Sequence, residues 1–351
     1  MKINEIVIGG RKIGHKNRCF IIAEAGVNHN GEMALAEMLI DAALDAGADA
    51  VKFQTFKAER VISKSAPKAD YQKKATDPNE TQLEMARRLE LSFDNFRELK
   101  ALCDGKGIIF LSSPFDEPSV DFLDEIGVPA FKVASGEITN LPFLEYIAKK
   151  GKPVILSTGM SYLGEVEEAL RTIMGAGTRE VSLLHCVTDY PADPEDSNLA
   201  AIQTMKRAFS VPIGYSDHTL GTAVTIAAVA LGACIVEKHF TLDKTMPGPD
   251  HTASLEPREL KAMVDEIRGV EGAIGDGVKE PRESEEKNRI VGRRSVAAAV
   301  KIKEGTPITQ GMLTALRPAG GISPKHLPWV IGKKARHDIE SGEIITKDMI
   351  Y

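Results

Sequence analysis

The stretch FIIAEAGVNHNGEMALAEMLIDAALDAGADAVKFQ, residues 20–54, begins and ends with short apolar runs, FIIAE and AVKFQ. Such runs are typical of buried strands. Between them Leu35, Leu39 and Ala43 recur at the spacing of one helical face, and Gly47 follows where a left-handed helix terminus favours glycine. The stretch therefore predicts a strand, an amphipathic helix and a second strand.

The same unit repeats from residue 20 to about residue 274, and we count eight apolar runs in it. The runs are residues 20–24, 50–54, 108–112, 130–135, 153–158, 181–186, 211–216 and 234–240. Strands that alternate with crossover helices form parallel sheets buried on both faces. Eight of them favour an α/β fold of the (β/α)8 TIM-barrel type over the alternative, a doubly wound open sheet.

Two segments depart from the repeat. A polar segment, residues 57–81, follows the second strand and is too long for a simple connection, so we interpret it as a functional loop at the barrel mouth. After the charged stretch PRESEEKNR, the tail has short β-type runs and glycine-rich turns. We therefore predict a barrel domain with its N-terminal extension over residues 1–280, a linker over 281–292 and a small β-rich domain over 293–351.

Composition excludes several classes of protein. The chain has 351 residues, 43% of them hydrophobic, and a net charge of −6 without long runs of one sign, so neither nucleic acid nor a membrane is the expected partner. No stretch approaches a membrane span, and the first residues lack the apolar core of a secretion signal. We expect a cytoplasmic protein whose four widely spaced cysteines are buried thiols.

Lysines lie inside three of the apolar runs, at Lys52, Lys132 and Lys238. A buried charge is costly unless it is paired or bound to a ligand. One interpretation is ion pairing with a glutamate at a strand end; the candidates are Glu24, Glu137 and Glu237. The other is a clamp for a phosphate or carboxylate, formed by two of the lysines with Ser113, Ser135 and Ser216. The clamp predicts an anionic ligand.

His218 and His239 end the last two predicted strands. Strands that are neighbours in a barrel bring such residues together at its mouth, where two imidazoles can bind a divalent metal and leave positions open for a substrate oxygen. Each could instead be a histidine satisfied by hydrogen bonds. We favour the metal site.

The phrases AEAGVNHNG, VKFQTFKA, SSPFD, FKVASGEITNLP, LLHCVTDYP, IGYSDHT and EKHFTLDKTMPGPDH together resemble the sialic acid synthase family. The tail, with LRPAGGISP, resembles that family's antifreeze-like SAF domain. The resemblance implies a transferase that condenses phosphoenolpyruvate with N-acetylmannosamine, giving N-acetylneuraminate and phosphate by C–O cleavage. Mn2+ or Mg2+ and a domain-swapped homodimer are also implied.

The resemblance further implies a role for each matching residue. His218 and His239 would bind the metal, and Glu137 would be the acid/base group. Lys52 and Lys132, with Ser113, Ser135 and Ser216, would contact phosphoenolpyruvate, as would Thr188, which stands where many relatives have Asn or Ser. Glu24, Gln54, Tyr190 and Asp250 would shape the sugar site, and Arg317 would reach the sugar site of a neighbouring subunit.

Three alternatives stay open. The motifs fit a legionaminic acid synthase, acting on 2,4-diacetamido-2,4,6-trideoxymannose, almost as well as the N-acetylneuraminate reaction that we expect. Lys132 or Lys52 could be the nucleophile of a Schiff-base aldolase. The third alternative is a carbohydrate-binding protein whose active part is the tail. The many ionisable residues at strand ends argue against it.

Overall fold

The computed structural model describes residues 5–351. The chain forms two compact units, of which the first ends at Gly275 and the second is Asp276–Tyr351. The first unit opens with an antiparallel hairpin of β1 (Glu5–Ile8) and β2 (Arg11–Gly14). No helix within the described residues is long and apolar enough to cross a membrane.

Eight parallel strands follow the hairpin and form a nearly closed barrel. They are β3 (Phe20–Gly26), β4 (Ala50–Thr55), β5 (Ile109–Pro114), β6 (Phe131–Val133), β7 (Val154–Ser157), β8 (Val181–Cys186), β9 (Ile213–Asp217) and β10 (Ile235–His239). The first strand of the sheet, β3, pairs with both β4 and the last strand, β10, so the ladder runs continuously from β5 round to β6. The predicted barrel is confirmed.

Helices cover the outside of this sheet. The bounds in the first unit are α1 (Met33–Ala46), α2 (Ala58–Val61), α3 (Asp70–Ala75), α4 (Gln82–Arg88), α5 (Phe93–Lys106), α6 (Glu117–Glu125), α7 (Leu141–Ala148), α8 (Leu163–Gly175), α9 (Ala200–Ala208), α10 (Ala223–Ala230) and α11 (Pro257–Ile274). Gly47 ends α1 with a φ of 82°, the left-handed conformation that the sequence predicted at this position.

Apolar side chains fill both faces of the barrel sheet. The larger cluster lies between the strands and the surrounding helices and includes Phe53, Phe110 and Phe131. A smaller cluster joins the hairpin to the amino-terminal ends of the strands, where Ile6 and Ile13 pack with other buried apolar side chains. Because this end is filled with apolar side chains, the polar strand ends collect at the opposite, carboxyl end.

The segment that the sequence predicted as a long polar loop contains two short helices, α2 and α3. Lys68 anchors it, because its buried ammonium group donates to Thr76 Oγ1 at 3.1 Å and to the carbonyl of Asp77, and lies 3.6 Å from Glu80. The next helix, α4, begins at a capping box in which Thr81 and Glu84 exchange hydrogen bonds. We call α2, α3 and α4 with their connections, residues 57–88, the lid segment.

The second unit has little regular structure and its own apolar core. It contains α12 (Glu286–Gly292), the antiparallel pair β11 (Ser295–Ala298) and β12 (Leu313–Leu316), and α13 (Leu327–Val330). The core is built from buried Val296, Ile302, Ile339 and Ile345, among others. The small antiparallel sheet agrees with the β-rich tail that the sequence predicted. Residues 281–292, predicted as a linker, include α12.

Candidate active site

A cavity of about 170 Å3 opens at the carboxyl end of the barrel, and all eight strands or the residues just after them contribute to its wall. We call it the barrel cavity. Its strand-end polar residues are Glu24, Lys52, Gln54, Ser113, Lys132, Ser135, Ser157, Thr188, Tyr190, Ser216, His218, Glu237 and His239. The sequence placed its candidate residues at strand ends, and the structure brings most of them to this one cavity.

Two ammonium groups and two carboxylates form the floor of the barrel cavity. Lys52 Nζ lies 2.7 Å from Glu24 Oε2 and 3.9 Å from Glu237 Oε2, and Lys132 Nζ lies 3.3 Å from Glu237 Oε1. All four side chains are at least 95% buried. We call them the lysine–carboxylate cluster. Of the glutamates that the sequence offered as partners, Glu24 and Glu237 pair with the lysines and Glu137 does not.

Burial and mutual interaction shift the pKa values in this cluster. Burial raises the pKa of Glu24 to about 7, although Lys52 acts in the opposite direction. Burial also lowers the pKa of Lys132, which Glu237 opposes and the positive charge of Lys52 reinforces. Burial would raise the pKa of Glu237, but Lys132 and Lys52 outweigh it and the pKa is lowered. Because Glu24 takes up a proton readily, the cluster can carry a net positive charge and accept an anion.

Hydroxyl groups line the wall above the lysines. Ser113 Oγ accepts a hydrogen bond from Lys52 Nζ at 2.9 Å, and Ser216 Oγ donates to Glu237 Oε1 at 3.1 Å. The hydroxyls of Ser157 and Thr188 are buried and have no hydrogen-bond partner among the described residues. A buried hydroxyl without a partner costs free energy, so these two groups are placed to bind a ligand.

Gly159 also shapes this wall, and the sequence analysis missed it. Its N–H donates to Ser135 Oγ at 2.9 Å, and a Cβ atom at this position would lie 2.2 Å from Thr188 Oγ1. Only glycine therefore allows the backbone to approach the two hydroxyls this closely. The signal available in the sequence was the glycine directly after the predicted fifth strand.

The two imidazoles predicted to bind a metal lie side by side in the barrel cavity. The ring centroids of His218 and His239 are 5.4 Å apart. His218 Nδ1 is 2.5 Å from the carbonyl oxygen of Val187 and so carries the proton, which leaves Nε2 as a free acceptor. The buried Nδ1 of His239 has no partner among the described residues.

Both rings suit a metal because they are neutral. Burial lowers the pKa of His218 to about 4, and burial together with the neighbouring His218 lowers the pKa of His239 well below its usual value. Within residues 5–351 no group of three or more His, Cys, Asp or Glu side chains is placed to hold a metal ion. The free ring nitrogens of His218 and His239 are nevertheless ligands of the type that divalent cations bind.

Tyr190 links the imidazoles to the lid segment. Its ring centroid lies 4.1 Å from that of His218 and 5.2 Å from that of Tyr71 in α3. Nearby, Gln54 Nε2 donates to Glu24 Oε1 at 3.4 Å, and burial raises the pKa of Asp250 to about 6. Tyr190, Tyr71, Gln54 and Asp250 border a second cavity, of about 260 Å3, which residues of the lid segment also line. We call this second cavity the apolar annex, after its side chains Phe56, Val61, Ile62, Met85 and Leu89.

Lys238, the third lysine of the sequence analysis, lies on the other face of the sheet. Its ammonium group is fully buried, 2.8 Å from Asp217 Oδ2, and also donates to the carbonyl of Thr219. Asp217 in turn accepts from the hydroxyls of Thr219 and Thr225, the latter in α10. Lys238 is therefore ion-paired, as one interpretation of the sequence had it, but its partner is Asp217 and none of the three glutamates proposed, and the pair joins β9 to β10 behind the imidazoles.

Three predicted residues do not line the barrel cavity: Asp250, which lines the apolar annex, Glu137 and Arg317. Glu137 belongs to a short 3-10 helix, Ser135–Glu137, and its carboxylate accepts a hydrogen bond from Asn140 at 2.9 Å. The predicted strand of residues 130–135 ends earlier, at Val133, so the chain turns before it reaches Glu137. Arg317 is an exposed residue of the second unit, directly after β12.

The site thus consists of the lysine–carboxylate cluster and two imidazoles at the carboxyl end of a (β/α)8 barrel. The sequence matches the NeuB family over residues 39–279, and residues 293–350 match the SAF domain. The chain therefore belongs to the NeuB family. These matches confirm the resemblance to sialic acid synthases and to their antifreeze-like domain.

Relatives extend over nearly the whole chain. It is 52% identical to an N,N'-diacetyllegionaminic acid synthase of Campylobacter jejuni, over 93% of this chain and 99% of the relative. It is 40% identical to the human N-acetylneuraminate-9-phosphate synthase, over 97% of this chain and 95% of the relative. The solved N-acetylneuraminic acid synthetase of Leptospira borgpetersenii, 40% identical, superposes with a TM-score of 0.74 and covers 82% of this chain and 95% of its own.

Proposed function

We propose that this chain is a nonulosonic acid synthase that condenses phosphoenolpyruvate with an N-acetylated hexose and releases phosphate. The observation that carries the proposal is the barrel cavity, where Lys52 and Lys132 lie among buried hydroxyls. Ammonium and hydroxyl groups complement phosphate and carboxylate, the two anionic groups of phosphoenolpyruvate. The names of two relatives, an N,N'-diacetyllegionaminic acid synthase and an N-acetylneuraminate-9-phosphate synthase, support a reaction of this class.

In this proposal phosphoenolpyruvate binds through Lys52 and Lys132, with Ser113, Ser135 and Ser216 as further contacts. C3 of phosphoenolpyruvate attacks the sugar aldehyde, and positive charge develops at C2. Glu237, whose pKa is lowered and whose carboxylate lies between the two lysines in the same cavity, would stabilise that charge. Water then adds at C2, and the tetrahedral intermediate expels phosphate by C–O cleavage.

His218 and His239 would hold the divalent cation, Mn2+ or Mg2+. When bound, the cation would supply Lewis-acid polarisation of the aldehyde. Glu137 remains our predicted proton carrier, although its present hydrogen bond is with Asn140 and the lysines pair with other carboxylates. Tyr190, Asp250, Gln54 and Glu24 border the space where the sugar would lie.

For the sugar we place 2,4-diacetamido-2,4,6-trideoxymannose ahead of N-acetylmannosamine, which reverses the preference drawn from the motifs. The identity of 52% to an N,N'-diacetyllegionaminic acid synthase, against 40% to the human N-acetylneuraminate-9-phosphate synthase, supports this order. N-acetylmannosamine stays the second candidate because the Leptospira structure that matches this fold is an N-acetylneuraminic acid synthetase.

Phosphate release tests the proposal. The protein, incubated with Mn2+, phosphoenolpyruvate and each sugar in turn, should release phosphate with one of them and stop when a chelator is added. In 18O-labelled water the label should enter the nonulosonic acid and not the phosphate. Phosphate release that is absent with both sugars would contradict the proposal, and a borohydride-trapped lysine adduct would favour the Schiff-base aldolase instead.

We also propose the domain-swapped homodimer, in which Arg317 completes the sugar site of the partner subunit. Mixed dimers test it, because a Lys132→Met subunit and an Arg317→Ala subunit would each lack a different part of the same site. Mixing and re-equilibrating equal amounts of the two inactive variants should restore about one quarter of the wild-type activity, because random pairing makes half of the dimers mixed and each mixed dimer has one intact site of two. Activity that stays absent, in a protein that is dimeric by light scattering, would contradict the exchange.

A further inference from the structure

The apolar annex borders the space proposed for the sugar, but no step of the chemistry proposed above uses its apolar side chains. It shares Gln54, Phe115, Tyr190 and His239 with the barrel cavity, so the two spaces adjoin. Lys52 and Lys132 belong to the lining of the barrel cavity alone. The reacting carbon of a sugar must lie beside the imidazoles and the lysines, so the far end of a six-carbon chain extends towards the annex.

The lid segment contributes both apolar side chains and the polar side chains of Tyr71, Gln72 and Gln82 to the annex. Met85 of α4 and Leu89, directly after α4, form its apolar part; each is 97% buried and packs with Val27 and Phe56. Ile62, directly after α2, is half-buried and lines the same space. A ligand in the annex would therefore contact the methyl and methylene groups of these side chains.

The wall is held in place before any ligand binds. Glu90, just beyond α4, accepts a hydrogen bond from the N–H of Ala58 at 2.7 Å and pairs with Lys57 at 3.4 Å. Tyr71 packs on Tyr190 from the other side, and Lys68 fixes the connection after α3. A preformed apolar pocket discriminates between ligands because it does not rearrange to hydrate a polar group.

The two candidate sugars differ at the end that points to the annex. The diacetamido sugar carries an acetamido group at C4 and a methyl group at C6, whereas N-acetylmannosamine has hydroxyl groups at both. The apolar side chains of the annex stabilise the methyl group at C6 of the diacetamido sugar, whereas a hydroxyl group packed against them would lose its hydrogen bonds to water. We infer that the apolar annex selects the deoxygenated, acetamido-bearing end of the sugar, with Ile62, Met85 and Leu89 as the specificity-determining residues. The inference rests on the proposed function.

The test measures the ratio of kcat/KM for the diacetamido sugar to that for N-acetylmannosamine, with Mn2+ and phosphoenolpyruvate saturating. Wild type should prefer the diacetamido sugar. Met85→Gln, of similar length, and Ile62→Asn, at a half-buried position, should each lower the ratio by about tenfold, because one methyl contact in an apolar pocket contributes roughly that much. Met38→Gln, an exposed methionine on α1, is the matched control and should leave the ratio unchanged.

A second measurement does not depend on turnover. The alditol of the diacetamido sugar lacks the aldehyde, and its calorimetric affinity should fall in Met85→Gln and Ile62→Asn but not in Met38→Gln. A wild type that prefers N-acetylmannosamine, or a ratio unchanged in both folded annex variants, would overturn the inference and leave the proposed condensation standing. Turnover of neither sugar by wild type would overturn both.

Discussion

Buried lysines on the two faces of the barrel sheet differ in how their charges are paired. Lys238 faces the helices and is fully paired, with Asp217 on one side and the Thr219 carbonyl on another. Lys52 and Lys132 face the barrel cavity and share Glu237, which lies 3.9 Å from one and 3.3 Å from the other. A buried charge that has its own partners stabilises the contact between structural elements. Buried charges that share one partner and lie beside hydroxyl groups without hydrogen bonds can bind a ligand.

The largest expected effect concerns Lys238. Lys238→Met leaves the carboxylate of Asp217 buried without its cation, so the free energy of unfolding should fall by about 3–5 kcal/mol. Lys132→Met is the matched control, and it should cost much less because Glu237 retains Lys52 and Ser216. Chemical denaturation of both variants measures the difference. Equal losses of stability would break the contrast between the two faces.

Asp250 tests whether a buried carboxyl group at the apolar annex lowers the stability of the ligand-free protein. Its pKa is about 6 when folded against 3.8 for a free carboxyl, so the folded state holds the extra proton between these pH values. Stability should therefore fall as pH rises from about 4 to about 6. In wild type this pH rise should lower the free energy of unfolding by about 2–3 kcal/mol, since one pKa unit corresponds to about 1.4 kcal/mol. Asp250→Asn should remove this dependence on pH. Thermal denaturation of both proteins from pH 4 to 7.5 checks this, and parallel pH profiles would contradict it.

Lys132 should matter for the ligand and not for the fold. In Lys132→Met the dissociation constant of phosphoenolpyruvate should rise about 10- to 100-fold, because a hydrogen bond to a charged group contributes about 1.5–3 kcal/mol. Isothermal titration with phosphoenolpyruvate measures the change. The exposed Lys287→Met in α12 serves as the control. An unchanged constant in Lys132→Met would remove this lysine from the clamp.

The smallest expected effect is at Thr188, whose hydroxyl is buried without a partner. Thr188→Val keeps the shape of the side chain and removes only the hydroxyl. The affinity for phosphoenolpyruvate should fall by about 3- to 10-fold, the contribution of one neutral hydrogen bond of about 0.5–1.5 kcal/mol, while the melting temperature holds or rises. Lower stability with unchanged affinity would mean that the hydroxyl supports the fold instead.

The sequence predicted the barrel because its repeat is local: each strand, helix and closing glycine can be read from its own neighbours. It did not separate Lys238 from Lys52 and Lys132. In a strand buried on both faces, charge alone does not tell the inner face from the outer one. The alternation of side chains along a strand distinguishes the two faces. Glu237 and His239 line the cavity, so Lys238, between them, must point the other way.

Two further features depend on contacts that no local pattern encodes. The strand before Glu137 ends at Val133, two residues earlier than its apolar run indicated, and Glu137 follows in a short 3-10 helix that leaves it out of the lining of the barrel cavity. The apolar annex joins lid residues to residues distant in the chain, such as Pro249 and Asp250. Its short helices, of four to seven residues, have too little periodicity to be predicted from sequence.

The central claim is that one cavity gathers both the ammonium groups and the imidazoles around phosphoenolpyruvate. A crystal structure with Mn2+ and phosphoenolpyruvate, with anomalous data at the manganese edge, tests it most directly. We predict an anomalous peak at His218 and His239 and the phosphate and carboxylate of the ligand on Lys52 and Lys132. A metal or ligand that binds with full occupancy elsewhere, with the barrel cavity holding only solvent, would contradict it.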